Sequence, residues 1–167
     1  EHGPYDEDSY AEYYRHCRSL GIPTITRVAD AEYHFVARAT DCGSDGVLIP
    51  RVETMEQVEA AVSGLYLPPE GKKGYGGKFQ FYPGESLEEY NRNRILWIQI
   101  ESPTGAEILP KIIEKYGHLL SACMIGPCDL SINAGTPLDF YNEASLSCIR
   151  RVFDICEKNH ISSGSYC

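Results

Sequence analysis

Two hydrophobic patterns alternate along the chain, one at helical spacing and one in short unbroken runs. Tyr10, Tyr14, Cys17 and Leu20 recur at helical spacing and predict a helix over residues 6–20, stopped by Gly21. Ile22-Pro23-Thr24-Ile25-Thr26-Arg27-Val28 predicts a short strand. Asp30 is placed to cap a helix running through Asp41 and ending at Gly43. Gly46-Val47-Leu48-Ile49-Pro50 predicts the next strand, and Thr54 with Gln57 forms a capping-box pattern ahead of Val58, Ala61, Val62 and Leu65. Residues 67–94 read as one long connection rich in Pro, Gly and Tyr, with a short helix near residues 87–90. Connections of that length are uncommon and usually functional or mobile. A strand over residues 95–101 follows, then a helical segment in which Pro110 is expected to start a fresh turn. A strand over residues 122–126 comes next. Ile149, Val152, Phe153 and Cys156 stand at i, i+3, i+4 and i+7 of a helix over residues 143–159. The final Ser162-Ser163-Gly164-Ser165-Tyr166-Cys167 reads as the start of another strand.

Strands separated by helices imply right-handed βαβ units and a parallel sheet, so the fold class is α/β. A closed eight-stranded barrel takes about 250 residues. With 167 residues, the chain is expected to be one partial domain over residues 1–167: the central portion of an incomplete (β/α)8 TIM barrel, truncated at both ends. A small open α/β sheet is the alternative.

Composition narrows the function classes. The chain is 43% hydrophobic and 23% charged, which is ordinary for a globular protein. Its net charge is −9 and it has no basic cluster larger than a pair such as Lys72-Lys73, which argues against nucleic acid and anionic membrane surfaces as partners. No apolar run approaches the roughly 20 residues of a membrane span. No signal peptide is visible, although the chain begins at Glu1 rather than Met. Seven cysteines, an odd number without a CxxC, read as reduced and mostly buried thiols of a cytoplasmic protein.

The candidate chemistry lies in two carboxylates. Ile95-Leu96-Trp97-Ile98-Gln99-Ile100 runs into Glu101, and Ala122-Cys123-Met124-Ile125 runs through Gly126-Pro127-Cys128 into Asp129. Such apolar runs suit strands covered on both faces, and a carboxylate closing one has no packing role. The C-terminal rim is where α/β barrels keep their chemistry. Parallel neighbours lie about 4.8 Å apart, so two such carboxylates could share one hard divalent cation. An imine mechanism would need a partly buried lysine of lowered pKa. Lysines 72, 73, 78, 111, 115 and 158 lie in the long connection or on helices, none at a strand end. Plainer readings exist for each polar residue alone: His2 as a solvated terminal residue, Arg27 as an ion-pair partner, Asp41 as a cap on the turn at Cys42-Gly43. Gly74-Tyr75-Gly76-Gly77 lacks the Lys-Ser/Thr of a phosphate loop and reads as flexible connection.

Taken in order, Glu1-His2-Gly3-Pro4, Thr26-Arg27-Val28, Thr40-Asp41-Cys42-Gly43, Gly46-Val47-Leu48-Ile49-Pro50-Arg51-Val52, Gln99-Ile100-Glu101-Ser102-Pro103 and Gly126-Pro127-Cys128-Asp129-Leu130-Ser131 resemble the HpcH/HpaI aldolase family. These are divalent-metal-dependent pyruvate aldolases of the phosphoenolpyruvate/pyruvate barrel superfamily. The resemblance implies that the chain runs from the end of the barrel's second strand to the start of its seventh. It implies Glu101 and Asp129 as metal ligands, for Mg²⁺, Mn²⁺ or Co²⁺. Arg27 would contact pyruvate, His2 would be the catalytic base with Asp41 as its partner, and the backbone of Gly126, Pro127, Cys128 and Asp129 would hold the pyruvate carboxylate. The implied reaction cleaves a 4-hydroxy-2-oxo acid, such as 4-hydroxy-2-oxoheptanedioate or a 2-keto-3-deoxy sugar acid, to pyruvate and an aldehyde, as in aromatic-compound catabolism. The alternatives are a citryl- or malyl-thioester lyase of the same superfamily, or a catalytically inactive fragment. The resemblance implies homo-oligomers, typically hexamers, built through a terminal helical region outside these 167 residues, so this fragment is not expected to assemble normally.

Overall fold

In the computed structural model, which describes residues 2–3 and 6–165, each strand is separated from the next by one or more helices. The strands are β1 (Ile25–Arg27), β2 (Gly46–Ile49), β3 (Ile95–Ile100), β4 (Leu120–Ile125) and β5 (Ser162–Ser165), in sheet order β1-β2-β3-β4-β5. The α-helices are α1 (Glu7–Ser19), α2 (Tyr33–Asp41), α3 (Met55–Leu65), α4 (Leu87–Asn93), α5 (Pro103–Tyr116), α6 (Pro127–Asn133) and α7 (Glu143–Lys158). Sequence order and sheet order coincide, as successive βαβ crossovers require. Glu1, Pro4 and Cys167 lie outside the described residues. Among the described residues no helix is long and apolar enough to cross a membrane.

The chain forms two compact units. The first joins Glu1–Leu48 to Glu59–Leu96. Here β1 and β2 pair in parallel with Ile25 opposite Gly46 and Arg27 opposite Leu48. Gly46 has to be glycine, because a Cβ there would overlap the Ile95 carbonyl oxygen. β1 is shorter than the sequence predicts. Pro23 has no N–H to give, and the Thr24 N–H goes to Asp45 Oδ2 at 2.7 Å instead of to a ladder. α2 begins later than expected: residues 30–32 bend the chain away from the strand, and the first i→i−4 bond runs from Val36 N–H to the Glu32 carbonyl. Glu32, rather than Asp30, therefore holds the N-cap position, without a side-chain cap.

Residues 67–94 are tied down along their length. Ser86 and Glu89 cap α4 reciprocally. Arg18 donates to the carbonyls of Phe79, Phe81 and Gly43, and its guanidinium lies 4.2 Å from the centre of the Tyr82 ring. The Asn91 amide bonds both the N–H and the carbonyl of Leu67. Arg94 and Glu85 form a buried ion pair at 2.8 Å.

The second unit joins Ile49–Val58 to Trp97–Cys167. β4 and β5 pair in parallel from Ala122 opposite Ser162 to Ile125 opposite Ser165. Its core holds Ile98, Ile100, Leu109, Ile112, Ile125 and Val152, all fully buried. α5 runs unbroken through Pro110, where a fresh turn was expected. Proline inside a helix costs about 3 kcal/mol. Burial of Ala106, Leu109, Ile112, Ile113 and Tyr116 on one face offsets that cost. The six described cysteines are all free thiols; Cys17, Cys123, Cys148 and Cys156 are buried, and Cys128 is exposed.

Candidate active site at the strand C-termini

Glu101 follows the last residue of β3 and is only 3% exposed. A buried carboxylate needs compensation. The Arg51 N–H donates to its Oε2 at 3.2 Å, from a backbone in the left-handed region at φ 47°. That conformation is uncommon for a residue with a Cβ and marks a constrained turn. Asn133 Nδ2 donates to the Glu101 carbonyl at 2.9 Å. The Gly126 N–H donates to the Ile100 carbonyl at 3.1 Å, which lays the turn after β4 against the end of β3. A Cβ at Gly126 would overlap the Glu101 carboxylate and stand 2.8 Å from Gln99 Nε2. Glycine is thus required by close approach.

Asp129 does not end a strand. β4 stops at Ile125, Gly126 is the N-cap of α6, and Pro127 occupies its first turn. The fixed φ of proline suits a first helical turn, and its missing N–H costs nothing there. Asp129 lies in that same first turn and is exposed. The strand expected over residues 122–126 is there, and the run from Gly126 to Asp129, expected to close it, is cap and helix.

A divalent cation fits this donor set. The buried Glu101 carboxylate has its flank kept open by Gly126, and Asp129 is a second hard oxygen donor on the adjoining turn. Among the described residues no group of three His, Cys, Asp or Glu forms a closed cage. An octahedral ion on two carboxylates keeps positions for substrate and water.

The first unit holds the other candidates. Arg27 ends β1 and is half-buried. It lines a cavity of about 460 Å³ together with Gly3, Tyr10, Thr26, Val28 and Arg38. His2, next to Gly3, is exposed. Tyr14 also lines this cavity, its hydroxyl 2.5 Å from Thr26 Oγ1. Burial pushes the Tyr14 and Cys42 pKa values up, so Cys42 remains a thiol rather than a nucleophilic thiolate.

Asp41 is placed elsewhere. α2 starts beyond the Arg27 end of β1 and returns to the opposite end of the strands, and Asp41 is its last residue. Nine helical residues span about 14 Å. The Asp41 carboxylate takes a hydrogen bond from Lys73 Nζ at 2.5 Å, and the Lys73 side chain is 1% exposed. A Cβ at Gly76 would overlap the same carboxylate. Asp41 anchors the long connection to α2. Sequence reading missed this pair, because nothing in Lys72-Lys73 shows which lysine is buried. It also missed Arg51 and Asn133, whose roles depend on backbone geometry.

The HpcH/HpaI aldolase/citrate lyase family model matches residues 11–163. A hydroxypyruvate/pyruvate aldolase of Roseobacter denitrificans is 31% identical over 140 residues, covering 81% of this chain and 54% of the relative. A 2-keto-3-deoxy-L-rhamnonate aldolase of Klebsiella pneumoniae is 32% identical over 124 residues, covering 69% of this chain and 44% of the relative. The chain thus spans about half the length of these relatives. Among solved structures, an HpcH/HpaI aldolase from Desulfitobacterium hafniense superposes with a TM-score of 0.90 at 23% identity, over 100% of this chain and 66% of that one. A macrophomate synthase gives a TM-score of 0.82 at 23% identity, over 97% of this chain and 60% of that one. At that identity these likenesses speak to the fold, which is that of the central strands and helices of such a barrel. With nearly the whole chain matched by the family model, the protein belongs to the HpcH/HpaI aldolase/citrate lyase family.

Proposed function

We propose that the chain carries the site of a divalent-metal-dependent pyruvate aldolase, which cleaves a 4-hydroxy-2-oxo acid to pyruvate and an aldehyde. The observation that supports this most directly is the buried Glu101 carboxylate at the end of β3, with the Gly126 turn laid against it. Glu101 and Asp129 would hold Mg²⁺, Mn²⁺ or Co²⁺. When bound, the ion would supply Lewis-acid polarisation of the substrate's 2-oxo group.

The chain's own residues do the rest. The N–H groups of Cys128 and Asp129, in the first turn of α6, precede any intrahelical acceptor and take the substrate carboxylate. Arg27 would offer its guanidinium to the oxygen on which negative charge develops as the C3–C4 bond breaks. His2 takes the proton of the 4-hydroxyl, whose oxygen becomes the aldehyde carbonyl, directly or through one water. The enolate left on the pyruvate half then takes a proton from water at C3 to give the methyl group, and in the synthetic direction His2 returns its proton to the new 4-hydroxyl. The scheme assigns Asp41 the ion pair with Lys73 through Oδ1 and gives it no proton-transfer step. Lys73, the buried lysine, is bound to Asp41 and sits at the wrong end of the strands for an imine.

The test is exchange of the pyruvate methyl protons in D2O, followed by NMR with Mg²⁺ or Mn²⁺ and an EDTA control. Enolisation is read without knowing the aldehyde. Exchange that EDTA stops is the expected result. A folded chain that exchanges no protons, or one indifferent to EDTA, would sink the proposal.

A further inference from the structure

We propose that Ser131 is a positioning residue for the turn that takes pyruvate: its hydroxyl fixes the Cys128–Asp129 peptide by tying it to the segment that follows α6. The inference rests on the reading of that turn given above.

Ser131 is fully buried in α6. Its Oγ donates to the Cys128 carbonyl at 2.7 Å and accepts the Leu138 N–H at 3.0 Å. A hydroxyl has one proton to give and lone pairs to receive with, and both capacities are used here. The Ser131 carbonyl takes the Thr136 N–H at 2.8 Å and the Thr136 hydroxyl at 3.3 Å. The Thr136 hydroxyl also meets Ser145 Oγ, in the first turns of α7, at 2.7 Å. Ser131 thus joins α6 to the segment that follows it, and Thr136 carries the link on to α7.

The consequence follows from the geometry of the peptide unit. The Cys128 carbonyl and the Asp129 N–H share one plane and point in opposite directions. A hydroxyl that holds the carbonyl therefore sets the direction of that N–H, and with it the path of the backbone from which the Asp129 carboxylate extends. A serine bonding back to the i−3 carbonyl is common inside helices and does little for their stability. The Leu138 contact is different. Leu138 stands in the left-handed region at φ 59° with its side chain 61% exposed, so burial does not compensate for the strain. Its N–H closes on Ser131 Oγ, and that bond is what the strained backbone achieves.

The experiment compares the full chain with Ser131→Ala, Ser131→Thr and Thr136→Ala, all with Mg²⁺. Pyruvate affinity is read from the ¹⁵N–¹H shift of the Asp129 amide, which needs no turnover. Methyl-proton exchange gives KM and kcat, and hydrogen exchange at the Leu138 amide reports the link itself. Ser131→Ala should lose Leu138 protection and weaken pyruvate binding about ten-fold, through KM rather than kcat. Ser131→Thr, which keeps the hydroxyl, should restore both. Thr136→Ala should loosen the following segment and leave pyruvate affinity unchanged; it serves as the control if the threonine variant does not fold. Unchanged affinity in Ser131→Ala overturns the proposal, and so does an equal loss in Thr136→Ala. Pyruvate binding without exchange in the unmodified chain would count against the aldolase reading alone, while the shift titration still decides on Ser131. Absence of any pyruvate binding would overturn both.

Discussion

Asp41 and Lys73 show how far a single residue's role depends on its surroundings. In sequence, Asp41 stood as partner to a catalytic histidine. In the folded chain it neutralises an ammonium group whose side chain is 1% exposed. Removing one member of a buried pair leaves the other charge uncompensated, at a cost of several kcal/mol. Asp41→Asn should therefore lower unfolding free energy by about 3 kcal/mol in urea titrations. It should leave proton exchange per folded molecule unchanged. A large loss of exchange in a variant of normal stability would return Asp41 to the catalytic group. Tyr90 gives a prediction in pH. Burial pushes its pKa up to about 12. Above the ordinary tyrosine value of about 10 the unfolded chain releases this proton while the folded chain keeps it. The folded state then binds more protons, so stability falls as pH rises from about 10 to 12. Tyr90→Phe should flatten that part of the curve, measured by denaturant midpoints across the alkaline range.

At the scale of elements, the turn from β4 into α6 does the most for the site. Gly126 lets the chain pass against Glu101, Pro127 starts the helix, and Asp129 follows within the same turn. Gly126→Ala would force its methyl into the Glu101 carboxylate and the Gln99 amide. Overpacking of this kind costs about 1–3 kcal/mol. The variant should lower the melting temperature and also abolish metal-dependent proton exchange, because the carboxylate is what must move. The strand over residues 122–126 was legible in the sequence, yet Asp129 was read as closing it rather than as part of a helix that begins at Pro127. Periodicity cannot see where a β-ladder stops and a helix begins across three residues. Likewise Pro110 argued locally for a break in α5, and five buried side chains on one face decided otherwise.

For the whole molecule, a ligand that binds only the folded state stabilises it by mass action. At about 100 times its dissociation constant, Mg²⁺ or Mn²⁺ should add about 2.7 kcal/mol, seen as a rise in melting temperature that EDTA removes. Glu101→Gln and Asp129→Asn should each abolish that rise; a full rise in both would refute the metal assignment. The alternation of helices and strands, the capping box at Thr54 and Gln57, and the carboxylate closing β3 were all legible without coordinates. They rest on local rules: spacing of apolar side chains, caps, and the polarity of a residue that ends an apolar run. What only the tertiary structure decided was partnership. It paired Lys73 rather than Lys72 with Asp41, turned the Arg51 amide to Glu101, closed Ser131 on Leu138, and filled residues 67–94 with ordered contacts. These are meetings between residues far apart in sequence: 50 positions for Arg51 and Glu101, and 63 for Arg18 and Phe81. A sequence fixes which groups are able to pair. The close-packed interior, which admits one arrangement of buried polar groups at acceptable cost, selects which of them do.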